Sequence, residues 1–142
     1  MRRAGQCLCG AVKISAEVDS DQINACHCRQ CQRWSGGGAY LAVHVADAEI
    51  DGPIATYQAS QWGERVFCPN CGSTITWRMQ GKPISNLAVG LFDDQSGWTI
   101  GSEIFVDYRQ AWWPKIDGAS QSTEAEEFAK LDAYLKEQAD DQ

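Results

Sequence analysis

Seven cysteines in three short clusters constrain this chain more than any other feature: Cys7-x-Cys9, Cys26-x-Cys28-x-x-Cys31 and Cys68-x-x-Cys71. Thiols at two- and three-residue spacing can turn toward one point, and in a reducing compartment they read as metal ligands more readily than as disulfides. The odd total points the same way. Seven thiols also divide unequally: four can close a tetrahedral site, while three leave a coordination position open to water or substrate.

With 142 residues the chain has the size of one domain, small enough for metal to carry much of its stability. A formal net charge of -7 argues against an extended phosphate-tracking surface, so no nucleic-acid partner is expected. Much of the acid lies in the tail, at Glu124, Glu126, Glu127, Glu137, Asp140 and Asp141, whereas Arg29, Arg33, Arg65 and Arg78 lie near the cysteines in sequence. A local site for a small anion is therefore admissible. Met1-Arg2-Arg3 leads into no apolar stretch of secretory type, and no run approaches the roughly 20 apolar residues of a membrane span. A cytoplasmic protein without a membrane partner is expected.

Val12, Ile14, Ala16 and Val18 alternate with polar residues, the period of a half-buried strand. Further extended segments are expected at 23–26, 39–45, 56–57, 64–67, 73–79, 85–89 and 103–108, with a turn at Asp51-Gly52-Pro53 and a loop from Phe92 to Gly97. The tail changes period. Thr123 and Glu126 fit a capping box, and Phe128, Leu131 and Leu135 share a helical stripe, predicting a helix over 123–138. The fold class expected is mainly β, with residues 1–120 as a zinc-binding domain and 121–142 as a helical extension packed on it.

Cys68-x-x-Cys71-Gly72 resembles a zinc knuckle, and Cys7-x-Cys9-Gly10 supplies the second pair if the N-terminal segment folds beside residues 66–74. Closed by four sulfurs, such a site ties distant segments together and contributes folding energy. In the central cluster Cys28 and Cys31 share a face if a helical turn starts there, and Cys26 reaches over from the preceding extended residue. Zinc held by three thiolates keeps a position for catalysis. His27 is the rival fourth ligand, although in an extended segment its side chain points away from both neighbouring cysteines. His44, on a candidate strand, reads as structural. The competing reading is a noncatalytic zinc-binding domain, in which the metal only stabilises a modest core and the surface engages a protein or serves regulation.

At these residues the sequence resembles the glutathione-dependent formaldehyde-activating enzyme family, also called the CENP-V-like domain. The matching elements are Cys7-x-Cys9-Gly10, Cys26-His27-Cys28-x-x-Cys31, Gly36-Gly37-Gly38, Arg65-x-Phe67-Cys68-x-x-Cys71-Gly72-Ser73, and Glu103-Ile104-Phe105-Val106 followed by Trp112-Trp113. The resemblance implies an Mss4-like fold of small twisted antiparallel sheets. It also implies a structural zinc at Cys7, Cys9, Cys68 and Cys71 and a labile or catalytic zinc at Cys26, Cys28 and Cys31. The implied activity is that of a carbon-sulfur lyase, like S-hydroxymethylglutathione synthase, which joins glutathione to formaldehyde or a related small electrophile. Arg29, Arg33 or Arg65 could receive substrate carboxylates or serve as framework, and Trp34, Trp62 and Trp77 could wall a cleft or fill the core. The chain departs from the family pattern at Glu103, where histidine is common, and in the stretch Arg109-Gln110-Ala111-Trp112.

Overall fold

A computed structural model describes residues 1–140 of the chain. In chain order its elements are β1 (Arg2–Gln6), β2 (Lys13–Glu17), β3 (Gln22–Cys26), α1 (Arg29–Ser35), β4 (Tyr40–His44), β5 (Ala46–Asp51), β6 (Ala55–Tyr57), β7 (Gly63–Phe67), β8 (Thr74–Met79), β9 (Asn86–Ala88), β10 (Thr99–Ile104), β11 (Ser120–Ser122) and α2 (Glu124–Asp140). The fold is mainly β, built of small antiparallel sheets with a C-terminal helix. None of the described helices is long and apolar enough to cross a membrane. The chain divides into two units, one formed by Met1–Asn24 and Leu41–Thr99, the other by Ala25–Tyr40 and the described residues from Ile100 onward.

In the first unit β1, β2 and β5 form one antiparallel sheet and β6, β7 and β8 another, while β4 pairs antiparallel with β9. The alternation along β2 works as its sequence requires: Ile14 and Ala16 are buried while Lys13 is exposed. Val12, Val43, Val66, Ile75 and Leu87 complete an apolar core whose removal from water is the main driving term. The side chain of Thr76, buried among them, donates to the Asn86 carbonyl at 2.6 Å, so its hydroxyl is not left unsatisfied.

In the second unit the amide of His27 donates to the Ile104 carbonyl at 3.0 Å, and β10 runs parallel to β11 with Ser102 opposite Ser120. Helix α1 is short: Cys28 caps its start, and Gly36, at φ 92°, ends it in the left-handed region. At α2 the capping box forms as the sequence requires. Thr123 Oγ1 accepts from the Glu126 amide at 3.3 Å, and Glu126 Oε1 accepts from the Thr123 amide at 3.1 Å.

One expected strand is cut short. The extended run expected over 103–108 stops at Ile104, because Phe105 takes φ 56° and a tight 3-10 turn follows over Val106–Tyr108. Hydrogen bonds from the Tyr108 amide to the Phe105 carbonyl and from the Arg109 amide to the Val106 carbonyl close this turn, each at 3.0 Å. The Phe105 ring packs edge-on against Phe128 of α2, 6.0 Å between centroids, which compensates the unfavourable backbone. Similarly, the strand expected at 85–89 yields after Ala88 to a 3-10 turn at Val89–Leu91.

Candidate functional site

Two clusters of thiols form, one in each unit: Cys7, Cys9, Cys68 and Cys71 in the first, and Cys26, Cys28 and Cys31 in the second. Within each, the sulfur atoms lie within 4.8 Å of one another, and all seven cysteines are free thiols.

The four-sulfur cluster is built from two knuckles. In the first, the Gly10 amide donates to the Cys7 carbonyl at 3.1 Å and the Val12 amide to Cys7 Sγ at 3.3 Å. In the second, the Gly72 amide donates to the Cys68 carbonyl at 2.8 Å, and Gly72 itself takes φ 77°, which a side chain would resist. Ser73 joins the two. Its Oγ accepts from the Leu8 amide at 2.9 Å and lies 3.2 Å from Cys71 Sγ. Sulfur separations of 3.7 Å for Cys7 to Cys9 and 3.9 Å for Cys9 to Cys68 are those of a tetrahedral thiolate site, whose bonds of about 2.3 Å put sulfurs about 3.8 Å apart.

Electrostatics within this cluster call for a cation. The hydroxyl and amide of Ser73 hold the Cys71 thiol down to about 5, so its thiolate forms readily. The Ala11 amide pulls Cys9 the same way, but burial and the sulfurs of Cys7, Cys71 and Cys68 outweigh it and push Cys9 up to about 11. Burial would raise the Cys7 thiol, but the Val12 amide and the sulfurs of Cys9 and Cys68 outweigh it and lower it. Lowered thiols at Cys7 and Cys71 beside a raised one at Cys9 gather negative charge that a bound dication would neutralise.

The three-sulfur cluster sits at the start of α1. Cys28 is the cap residue, its Sγ accepting from the Cys31 amide at 3.2 Å, and Cys26 ends β3. Cys26 and Cys31 are buried while Cys28 is partly open to solvent. The sulfurs of Cys28 and Cys31 raise the Cys26 thiol strongly, so these residues too fit a cation better than three bare thiols.

His27, between two of these cysteines, turns the other way. Its Nε2 lies 2.9 Å from Glu103 Oε1, with both side chains fully buried. Glu103 is a hub: Oε1 also accepts from Trp113 Nε1 at 2.9 Å, while Oε2 accepts from Gln121 Nε2 at 2.8 Å and from Arg109 at 3.1 Å. Burial alone would raise this carboxyl, but Gln121, His27 and Arg109 together keep it below the usual range. Gln32 completes the frame, donating to the carbonyls of His27 at 2.7 Å and Tyr108 at 2.9 Å.

Of the other residues singled out from sequence, Arg29 is exposed on α1 and donates to Gln32 Oε1 at 2.6 Å, and Arg33 is exposed in the last turn of the same helix. Trp34, half-buried, tilts against Tyr40 with centroids 5.1 Å apart. Arg65 lies buried on β7 of the first unit, in register with Tyr57 and Trp77. Trp62 is exposed, Trp77 half-buried and His44 exposed. Sequence reasoning gave Ser73, Gln32, Trp113 and Gln121 no role. Ser73, directly after the knuckle glycine, and Trp113, in the Trp112-Trp113 pair, stood within the quoted motifs; Gln32 and Gln121 act through contacts remote in sequence.

The model of the family described as glutathione-dependent formaldehyde-activating enzyme matches residues 2–108, a stretch containing all seven cysteines. The chain belongs to this family. It is similar, at 26% identity over 106 residues, to a protein of Schizosaccharomyces pombe named as an uncharacterized lyase, with 72% of this chain and 77% of that protein covered. Family membership and this relative support a lyase. Among solved structures, that of a Rhodobacter sphaeroides protein is similar at 21% identity and a TM-score of 0.48, covering 84% of this chain and 99% of the other.

Proposed function

We propose that the protein is a zinc-dependent carbon-sulfur lyase that joins glutathione to formaldehyde, or a related thiol to a related small electrophile, and works in the cytoplasm, where thiols stay reduced. Family membership supports the reaction class. The observation that carries the site is the unequal division of the thiols into a set of four and a set of three.

In this reading Cys7, Cys9, Cys68 and Cys71 hold a structural zinc, and residues 1–120 form the family domain with 121–142 as an extension whose described residues carry α2. Cys26, Cys28 and Cys31 hold the second zinc. Bound there, zinc would supply Lewis acidity toward a carbonyl oxygen or a binding position for a thiolate. In the overall reaction the thiol sulfur bonds to the carbonyl carbon and the thiol proton ends on the carbonyl oxygen; the lyase direction is the reverse.

The chain's own side chains bind and orient. Arg29 and Arg33, exposed on the helix that carries Cys31, offer planar guanidinium groups for the two carboxylates of glutathione, and Trp34 on the same helix offers an apolar wall. Holding sulfur and carbon in contact converts a bimolecular addition into a local one. The test is the rate of S-hydroxymethylglutathione formation, followed by NMR with zinc-loaded protein. Acceleration over the protein-free mixture is expected, and parity with it overturns the assignment.

A further inference from the structure

We infer that Glu103 is the positioning residue of the three-thiol site, acting through His27, whose Nε2–H it holds. This inference rests on the metal reading of Cys26, Cys28 and Cys31 given above.

The proton on Nε2 follows from counting donors. Glu103 receives hydrogen bonds from Trp113 Nε1, Gln121 Nε2 and Arg109, all groups that only donate. A carboxylate beside a guanidinium, taking three such donors, is an acceptor on both oxygens. The fourth contact, from His27 Nε2 at 2.9 Å, must then be an N–H pointing at Oε1. Among the described residues His27 Nδ1, also buried, has no hydrogen-bond partner, so the ring's hydrogen bond among them is the one to Glu103.

The consequence for the thiols is geometric. His27 stands between Cys26 and Cys28, and it is held at three points: its ring by Glu103, its amide by the Ile104 carbonyl at 3.0 Å, and its carbonyl by Gln32 Nε2 at 2.7 Å. The Trp113 ring meets the imidazole edge-on at 5.0 Å and shares the same carboxylate oxygen, so the ring cannot turn without breaking both bonds. Fixing this residue fixes where the two flanking sulfurs lie. Partners of the ligands themselves are worth about 10- to 100-fold in affinity, and Glu103, which holds the residue between two of them, is expected at the lower end of that range.

Glu103→Gln is the incisive variant. It keeps the shape, but a carboxamide has one oxygen for four donors, and its own N–H groups oppose those of Trp113, His27, Arg109 or Gln121. Zinc release from the fully loaded protein to a chromogenic chelator is expected in two phases, the faster from the three-thiol site. In the variant the fast phase should accelerate about tenfold or more, with the slow phase unchanged. A folded variant whose fast phase matches wild type overturns the proposal.

Should the variant fail to fold, nitrogen NMR of the wild-type imidazole, recorded on metal-free and zinc-loaded protein, decides. A proton on Nε2 hydrogen-bonded to Glu103 supports the inference; a bare Nε2 overturns it. A wild type that binds a single zinc defeats the metal reading beneath the proposal. That failure is distinct from one of the Glu103 contact, since the Nε2 proton is read whether or not the three-thiol site holds metal.

Discussion

Cys9 and Cys68 bring their sulfurs to 3.9 Å across 59 residues of sequence. The two knuckles meet through these thiols and through Ser73, whose Oγ accepts from the Leu8 amide. If a metal ion is the reason, Cys68→Ser removes a fully buried ligand and leaves the rest of the cluster with uncompensated thiols. We expect loss of one zinc per chain and destabilisation by more than about 4 kcal/mol, seen as a large fall in the denaturant midpoint. A variant unfolding within about 1 kcal/mol of wild type would show that the fold does not need this clasp.

Ser73 links the knuckles more gently. Ser73→Ala removes the acceptor of the Leu8 amide and the partner of Cys71 Sγ, but Leu8 is largely exposed and water can replace the first bond. A stability loss of about 1 kcal/mol is expected, with zinc still bound. Because the Ser73 hydroxyl is the largest influence lowering the Cys71 thiol, that thiol should titrate above about 5 in the metal-free variant. Alkylation rate against pH reads this directly, and an unchanged profile counts against the contact.

Gly38 lies where the chain passes under the paired tryptophans. At φ 77°, a β-carbon there would come within 2.7 Å of the Trp113 ring, whose indole N–H is bound to Glu103. Gly38→Ala should therefore cost about 2 kcal/mol from backbone strain and displacement of the ring together. Loss of near-ultraviolet tryptophan dichroism is the expected companion. A variant with wild-type stability and spectrum contradicts the packing described.

Local pattern made much of this legible from sequence. The cysteine spacings gave both clusters, the alternation at 12–18 gave β2, and Thr123 with Glu126 gave the start of α2, since each signal is carried by neighbours a few residues apart. Strands β1, β5 and β11 were not foreseen: Arg2–Gln6 has little apolar alternation, and Ala46–Asp51 is largely exposed, so pairing with β2 rather than burial defines it. The end of β10 was hidden too, because Phe105 enters the left-handed region for a contact with Phe128 that no local pattern announces. Glu103 looked like a departure from a motif. Its four donors come from residues 27, 109, 113 and 121, and only the folded chain brings them to one carboxylate.

Capping at α2 offers a simple check on the tail. Thr123→Ala removes the Oγ1 acceptor of the Glu126 amide. About 1 kcal/mol of stability should be lost, with a small fall in helical dichroism and no change in zinc content. Wild-type stability and helical dichroism in the variant would contradict the cap described.

The central claim is that chemistry belongs to the three thiols and stability to the four. Cys28→Ser tests it most directly, since Cys28 is the partly exposed member of the three-thiol set and lies outside the four-sulfur clasp. The measurement is the rate of adduct formation from glutathione and formaldehyde, taken on the variant with its zinc counted. The account predicts one zinc per chain, a folded protein, and a rate equal to the uncatalysed reaction. A folded Cys28→Ser protein that still accelerates the addition as wild type does would contradict it.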